Sequence, residues 1–511
     1  MNKKRNILLI ASFLSLLLGA CNFGGSSSTS SLLSSSSSEI STTSSADSSI
    51  NSSSSSSSVH QITMDELVFE YNTIAEDNYN VSAGDNYKLA GDLVIPSVYN
   101  GKPVTMIKSF AFSGCRLLNS VVIPDSVIEI GSDAFNNCES LLTATLGKNI
   151  KKIGDNAFDS CEKLKSIVMP NTVTEMYEGA FRRCSALESV VISENITTIY
   201  DYTFDNCLAL KNVNIPLGVT SIGKYAFAGC AFDAITLPSE LETIDTGAFN
   251  SCANMKTINI PASMTSIGQA AFTNCSSLET ITVAANNAYY ASVDGMLYSK
   301  DLKTIVTVPG NWSNSFTLLN SVTTIGDYAF ASCKHLKTYS IPTHVTTVGV
   351  SAFGNCESLV SINIPNNVTS LGMFCFSWDT ALESITIPGS VQTIEQGLFR
   401  DCRALRSVTI EEGITDISHS PFMWCTALKS IVIPHSVNYL GLQALYESFL
   451  DDIYYKGTEE EWNNIENDSR PPYIYNTEEA TLYFYSETAP ISAGDYWHYV
   501  NGTPTIWNNA K

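Results

Sequence analysis

Apolar residues in this chain return at a long fixed interval, not at helical spacing. Phe stands at 112, 135, 158, 181, 204, 227 and 249, then at 272, 330, 353, 376, 399 and 422. Nearly every step is 23 residues, with one of 22 and one of 58. A representative unit starts at Cys161, carries Leu164, Ile167, Met169, Pro170, Val173 and Met176, and closes on Ala180, Phe181 and Cys184. The shared pattern is C-x-x-L-x-x-I-x-I-P-x-x-V-T-x-I-G-x-x-A-F. A unit this small cannot enclose its own apolar positions, so units must stack, each adding one rung to a common core. The L-x-x-I-x-I stretch alternates and is rich in β-branched residues, which predicts a short strand closed by Pro. V-T-x-I-G predicts a second short extended segment ending in a Gly turn, as at Gly131, Gly154 and Gly223. A-F predicts a turn or brief helical turn that drops Phe inward. The expected fold is mainly β: a solenoid of about 14 coils of 23 residues, made of short strands and turns.

This unit resembles the BspA-type leucine-rich repeat of bacterial surface proteins, over residues 65–445. The resemblance implies a leucine-rich-repeat solenoid with an adhesin-like role in binding an extracellular macromolecule.

The first residues change the picture of where such a solenoid would work. Lys3, Lys4 and Arg5 precede an apolar stretch at 7–18, and Leu18-Gly19-Ala20-Cys21 follows. That order reads as a processing signal, not as fold. It is similar to a bacterial lipobox, which implies a signal peptide over 1–20, cleavage before Cys21 and lipid attachment to the Cys21 sulfur. Residues 26–58 hold 22 Ser in 33 positions, a composition that cannot bury enough apolar surface to fold. The expected organisation is therefore a lipidated Cys and Ser-rich tether over 21–58, an N-terminal cap and first coil over 59–109, and the solenoid over 110–445. The chain would be secreted and held on the outer face of a bacterial cell membrane. With 28 Lys+Arg against 50 Asp+Glu the net charge is −22, and a nucleic-acid partner would need the opposite balance.

Two irregularities interrupt the repeat. The long step, near 284–316, contains an Asp294-Gly295 turn between apolar runs, a hairpin signature; it is expected to be structural, with a local contact surface as the alternative. Residues 446–511 depart from the pattern and are rich in acids and aromatics. They are expected to close the solenoid, since an open sheet edge invites aggregation. The sharper alternative is a ligand-binding aromatic patch led by Trp497 and Trp507.

Candidate chemistry is sparse. Cys115, Cys138, Cys161 and their equivalents through Cys425 occupy one column, with Asp379 in a single Cys place. Disulfides are the reflex expectation in a secreted chain, but side chains of one column point the same way. Zinc would need a C-x-x-C or clustered His. The column is expected to be buried thiols packing as small hydrophobes. No nucleophile motif, phosphate loop or calcium loop is present, so no catalytic residue, metal or cofactor is expected.

The variable positions of the strand carry the functional expectation. One column runs Val122, Val168, Val191, Asn214, Thr236, Asn259, Thr282, Asn363 and Thr386. Its neighbour runs Ser120, Ser166, Ser189, Asn212, Thr257, Thr280, Ser361 and Ser384. Together they predict a flat ribbon of small, uncharged side chains, edged by mixed charges. Such residues also simply suit a stacked strand. As a surface, the ribbon fits an extended partner held by many weak contacts. An extracellular protein of host or matrix origin is favoured over a polysaccharide, because the ribbon has almost no aromatics. The competing expectations are a structural, envelope-organising lipoprotein and, more distantly, a glycan-binding or glycan-acting protein.

Overall fold

A computed structural model describes residues 60–72, 77–312, 317–445, 448–467, 480–490 and 494–507. The chain divides into two units, Met1–Ser58 and Val59–Lys511, and the described residues all fall in the second. The signal segment, Cys21 and the Ser-rich stretch lie outside them.

The second unit is a β-solenoid of about 17 turns with almost no helix. Most coils contribute a strand from their L-x-x-I-x-I stretch to parallel pairing along one side. Ser166–Val168, Ser189–Val191 and Asn212–Asn214 pair in register in this way. A two-residue strand from V-T-x-I joins a second parallel ladder, as Lys152–Ile153 pairs with Glu175–Met176. The remaining side is a turn, and the turns too are laddered: the Phe135 N–H donates to Ala157 O at 2.7 Å and the Phe158 N–H to Ala180 O at 2.8 Å. Residues two places before and after Phe adopt left-handed backbone, as Asp133 (φ 55) and Asn137 (φ 57) do. Asp, Asn and Ser tolerate that conformation better than most residues, which accounts for their frequency there.

Strict periodicity makes the core a stack of identical rungs. Phe112, Phe135 and Phe158 lie nearly parallel with centroids 5.2 and 5.1 Å apart, and the offset pile continues to Phe272. A second pile runs from Phe330 to Phe422. The thirteen described cysteines are buried and unpaired. Most do more than fill space: Cys138 Sγ donates to Phe112 O at 3.2 Å, Cys161 Sγ to Phe135 O at 3.3 Å and Cys402 Sγ to Phe376 O at 3.0 Å. Thiols thus link consecutive coils as weak donors. Burial pushes the Cys275, Cys333 and Cys425 thiols up to about 12, so they stay protonated and able to donate.

The long step is an internal partition. Tyr290–Val293 and Met296–Ser299 form the expected hairpin, turned at Asp294 (φ 50) and Gly295 (φ 79). The second strand runs through the middle of the solenoid. Leu297 packs with the cluster of the preceding coils, whereas Met296 and Tyr298 pack with that of the following coils. The Ile281 N–H donates to Gly295 O at 2.8 Å, so the hairpin tip completes the rung it interrupts.

Both ends of the strand ladder are covered. Gln61 bridges Asp92 at the front. At the back the ladder continues past residue 445: Ser430–Ile433 pairs with Asp452–Tyr455, and this pairs with Thr481–Tyr485. Tyr496–Val500 follows, and an antiparallel last strand, Thr503–Ile506, carries Pro504, a residue suited to an edge. These additional rungs raise the coil number above the 14 expected from the repeat.

Candidate binding ribbon

The two variable columns fall side by side on the outer face of the strand ladder because alternate strand residues point the same way. Ser120 and Val122 pair with Thr143 and Thr145. Thr257 and Asn259 pair with Thr280 and Thr282, and Ser361 pairs with Ser384. Ser120, Ser189 and Thr280 are half-buried; the other fourteen candidate residues are exposed. Thr236 is the exception to strand geometry. Its coil is the 22-residue one, and there the ladder reduces to a single bridge, Ala234↔Thr257.

The ribbon is not chemically uniform along its length. At the front Val94, Val122, Val168 and Val191 stand in one column with Thr145 between them, and Val168 is 64% and Val191 47% exposed. Leu142 is exposed beside them, with Lys165, Glu188 and Lys211 in its own column. Past Asn214 the column turns polar. A shallow depression of about 430 Å³ opens in that polar part, lined by Tyr339, Asn363, Ser384, Thr386 and Thr409 among others.

The aromatic patch that was the alternative to a cap in the last segment is built differently. Trp497 is fully buried, and its Nε1 donates to Tyr455 O at 2.9 Å. A Trp that spends its polar handle inside the fold is a structural anchor, so it is withdrawn as a ligand contact. Trp507 stacks on His498 at 3.6 Å and donates to Ser486 O. What sequence reasoning missed is that Tyr454 and Tyr483 continue the ribbon's own column, through Thr409↔Val432, Val432↔Tyr454 and Tyr454↔Tyr483. The alternation in Ile453-Tyr454-Tyr455 was the available signal. Among the described residues no group of three or more His, Cys, Asp or Glu side chains could hold a metal ion.

A family model of six BspA-type leucine-rich repeats matches residues 92–211, 197–313, 310–426 and 351–468. The chain belongs to the BspA-type leucine-rich repeat family. Solenoids of this family are typically non-enzymatic. Among solved structures, this BspA-type chain is similar to a leucine-rich cell surface protein from Faecalibacterium prausnitzii. The identity is 29% over 80% of this chain and 98% of that one, with a TM-score of 0.55. A leucine-rich repeat protein from Eubacterium ventriosum is 23% identical over 73% of this chain and 84% of its own, with a TM-score of 0.48. The pneumococcal vaccine antigen PcpA is 18% identical over 83% and 93%, with a TM-score of 0.44. No curated protein matches the chain.

Proposed function

We propose that this chain is a cell-surface lipoprotein, anchored to the outer face of a bacterial membrane through Cys21, that binds an extracellular protein through the front of its ribbon. The observation that carries the reading is the row of exposed valines at 122, 168 and 191. Soluble surfaces scatter apolar residues singly; here Val94 pairs with Val122 and Val168 with Val191, with Thr145 between the two pairs, and such a row rimmed by charge has the apolar centre and polar rim of a docking surface. The similar Faecalibacterium prausnitzii protein is described as a cell surface protein, which supports the location.

The test is saturable binding of the full chain to a panel of purified mucins and extracellular-matrix proteins. Binding to at least one member in the micromolar range or tighter is expected. No saturable binding to any member would remove the protein-docking reading and leave the envelope-organising role.

A further inference from the structure

We infer that the rear half of the ribbon, from Asn363 to Tyr483, is a binding cleft for an extended, uncharged polysaccharide. It uses different residues from the valine row and stands whether or not that row docks a protein.

Unspent hydrogen-bonding capacity is the first observation. At V-T positions and in turns of the solenoid, several small hydroxyls are consumed by the fold. Thr346 Oγ1 donates to Thr323 O, Thr369 Oγ1 to Thr346 O and Ser390 Oγ to Val368 O. In the depression, Ser361, Ser384, Thr386, Ser407 and Thr409 are exposed, and no intraprotein side-chain hydrogen bond is recorded for any of their hydroxyls. Asn363 Nδ2 donates to Ser340 Oγ, which leaves its carbonyl outward. Hydroxyls and amides both donate and accept, as sugar hydroxyls require of a partner.

The floor is the second observation. Strand backbone forms it, because Ile362, Ile364 and Ile385 are buried and turn their side chains into the core. Its volume of about 430 Å³ falls within the range of small-ligand sites. The ladder is loose here: Ser361–Asn363 meets the next strand at Ser361↔Ser384, against four pairs one coil later.

Continuity is the third. The column runs unbroken from Thr386 through Thr409, Val432 and Tyr454 to Tyr483. One rung advances about 4.8 Å, close to the length of one sugar in an extended chain. The path therefore offers polar contacts first and, past the buried Tyr454, the half-buried ring of Tyr483. Tyr483 stacks on Tyr454 at 5.4 Å, and Tyr499 is exposed beside Tyr485 at 6.2 Å. No charged side chain lines the depression. Asp452 lies in the adjacent column and accepts from Tyr454 Oη. An anionic polymer would meet that carboxylate, so a neutral one fits better.

Affinity electrophoresis of the full chain through gels containing mannan, β-glucan, starch, hyaluronan or heparin tests the assignment. At least one neutral polymer is expected to retard it, and neither anionic one. A variant carrying Ser384→Ala, Thr386→Val, Ser407→Ala and Thr409→Val should lose at least tenfold in apparent affinity with an unchanged melting midpoint. Thr386→Ser alone, which keeps the hydroxyl, should bind normally, and Tyr483→Ala should weaken binding independently. Val168→Lys should leave retardation intact, which separates this site from the valine row. The proposal is overturned if no neutral polymer retards the chain, if hyaluronan or heparin does so equally, or if the hydroxyl-free variant binds as before. A protein partner lost in that variant, with neutral polymers failing to compete, would likewise overturn it.

Discussion

Asp379→Cys is expected to stabilise the protein, by an amount that grows as pH rises. Asp379 fills one place in the thiol column and is fully buried. Its Oδ1 accepts from the Cys356 N–H at 2.8 Å, while Oδ2 has no hydrogen-bond partner. The titratable groups around it are the Cys356, Cys375 and Cys402 thiols, none of which can neutralise a carboxylate. Burial therefore holds its pKa well above the usual carboxylate range, and the folded chain keeps a proton that the unfolded chain releases near pH 4. Because the folded pKa is raised, stability is fully present below about pH 4 and declines as pH climbs towards the folded value. The decline is about 1.4 kcal/mol per pH unit. Cys at 379 removes this burden and restores a donor to the Phe353 carbonyl, the partner that the column's spacing assigns to it. Melting midpoints of both proteins from pH 4 to pH 8 check this: a gap that widens with pH is expected, and a constant gap would contradict the buried-acid account.

Phe204→Ala should produce the largest local loss. The ring is fully buried between Phe181 at 5.7 Å and Phe227 at 5.4 Å, in a stack too regular to collapse around a void. Truncation of such a residue costs about 3–5 kcal/mol. A solenoid transmits that loss mainly to neighbouring rungs, and the hairpin strand Met296–Ser299 separates the two apolar clusters. Hydrogen–deuterium exchange should show faster exchange over coils near residues 181–250 and little change over 330–440. Equal loss along the whole solenoid would show that the hairpin does not partition the core.

The repeat was legible because stacking favours it: Phe piles on Phe most simply when coils spend the same number of residues between them, although the 22-residue coil keeps Phe227 on Phe249. The strand columns were legible for the same reason, since a parallel ladder without register shifts places equal offsets side by side. The last rungs were not. Asp452–Tyr455 and Thr481–Tyr485 keep the strand's alternation but lack the A-F-x-x-C turn, so the period vanishes while the ladder persists. That concealed the tyrosines at the rear of the ribbon. Periodicity showed where the thiols sit but not what they do, because most Sγ atoms reach a carbonyl 25 or 26 residues earlier, one coil and one turn away. Trp497 misled because an aromatic in an irregular segment reads the same in sequence whether its Nε1 faces water or Tyr455 O.

The two ladders offer a direct comparison of faces, because they share a backbone geometry and differ in their outward chemistry. Titrating a bound matrix or mucin protein against two double variants, Val168→Lys with Val191→Lys on the ribbon and Thr198→Lys with Ser221→Lys on the second ladder, tests whether the ribbon is the working surface. The ribbon pair should raise Kd at least tenfold, a cost of about 1.4 kcal/mol or more, and the second-ladder pair should leave it within a factor of two. Equal loss in both variants, or an unchanged Kd in the ribbon pair, would contradict the ribbon's role.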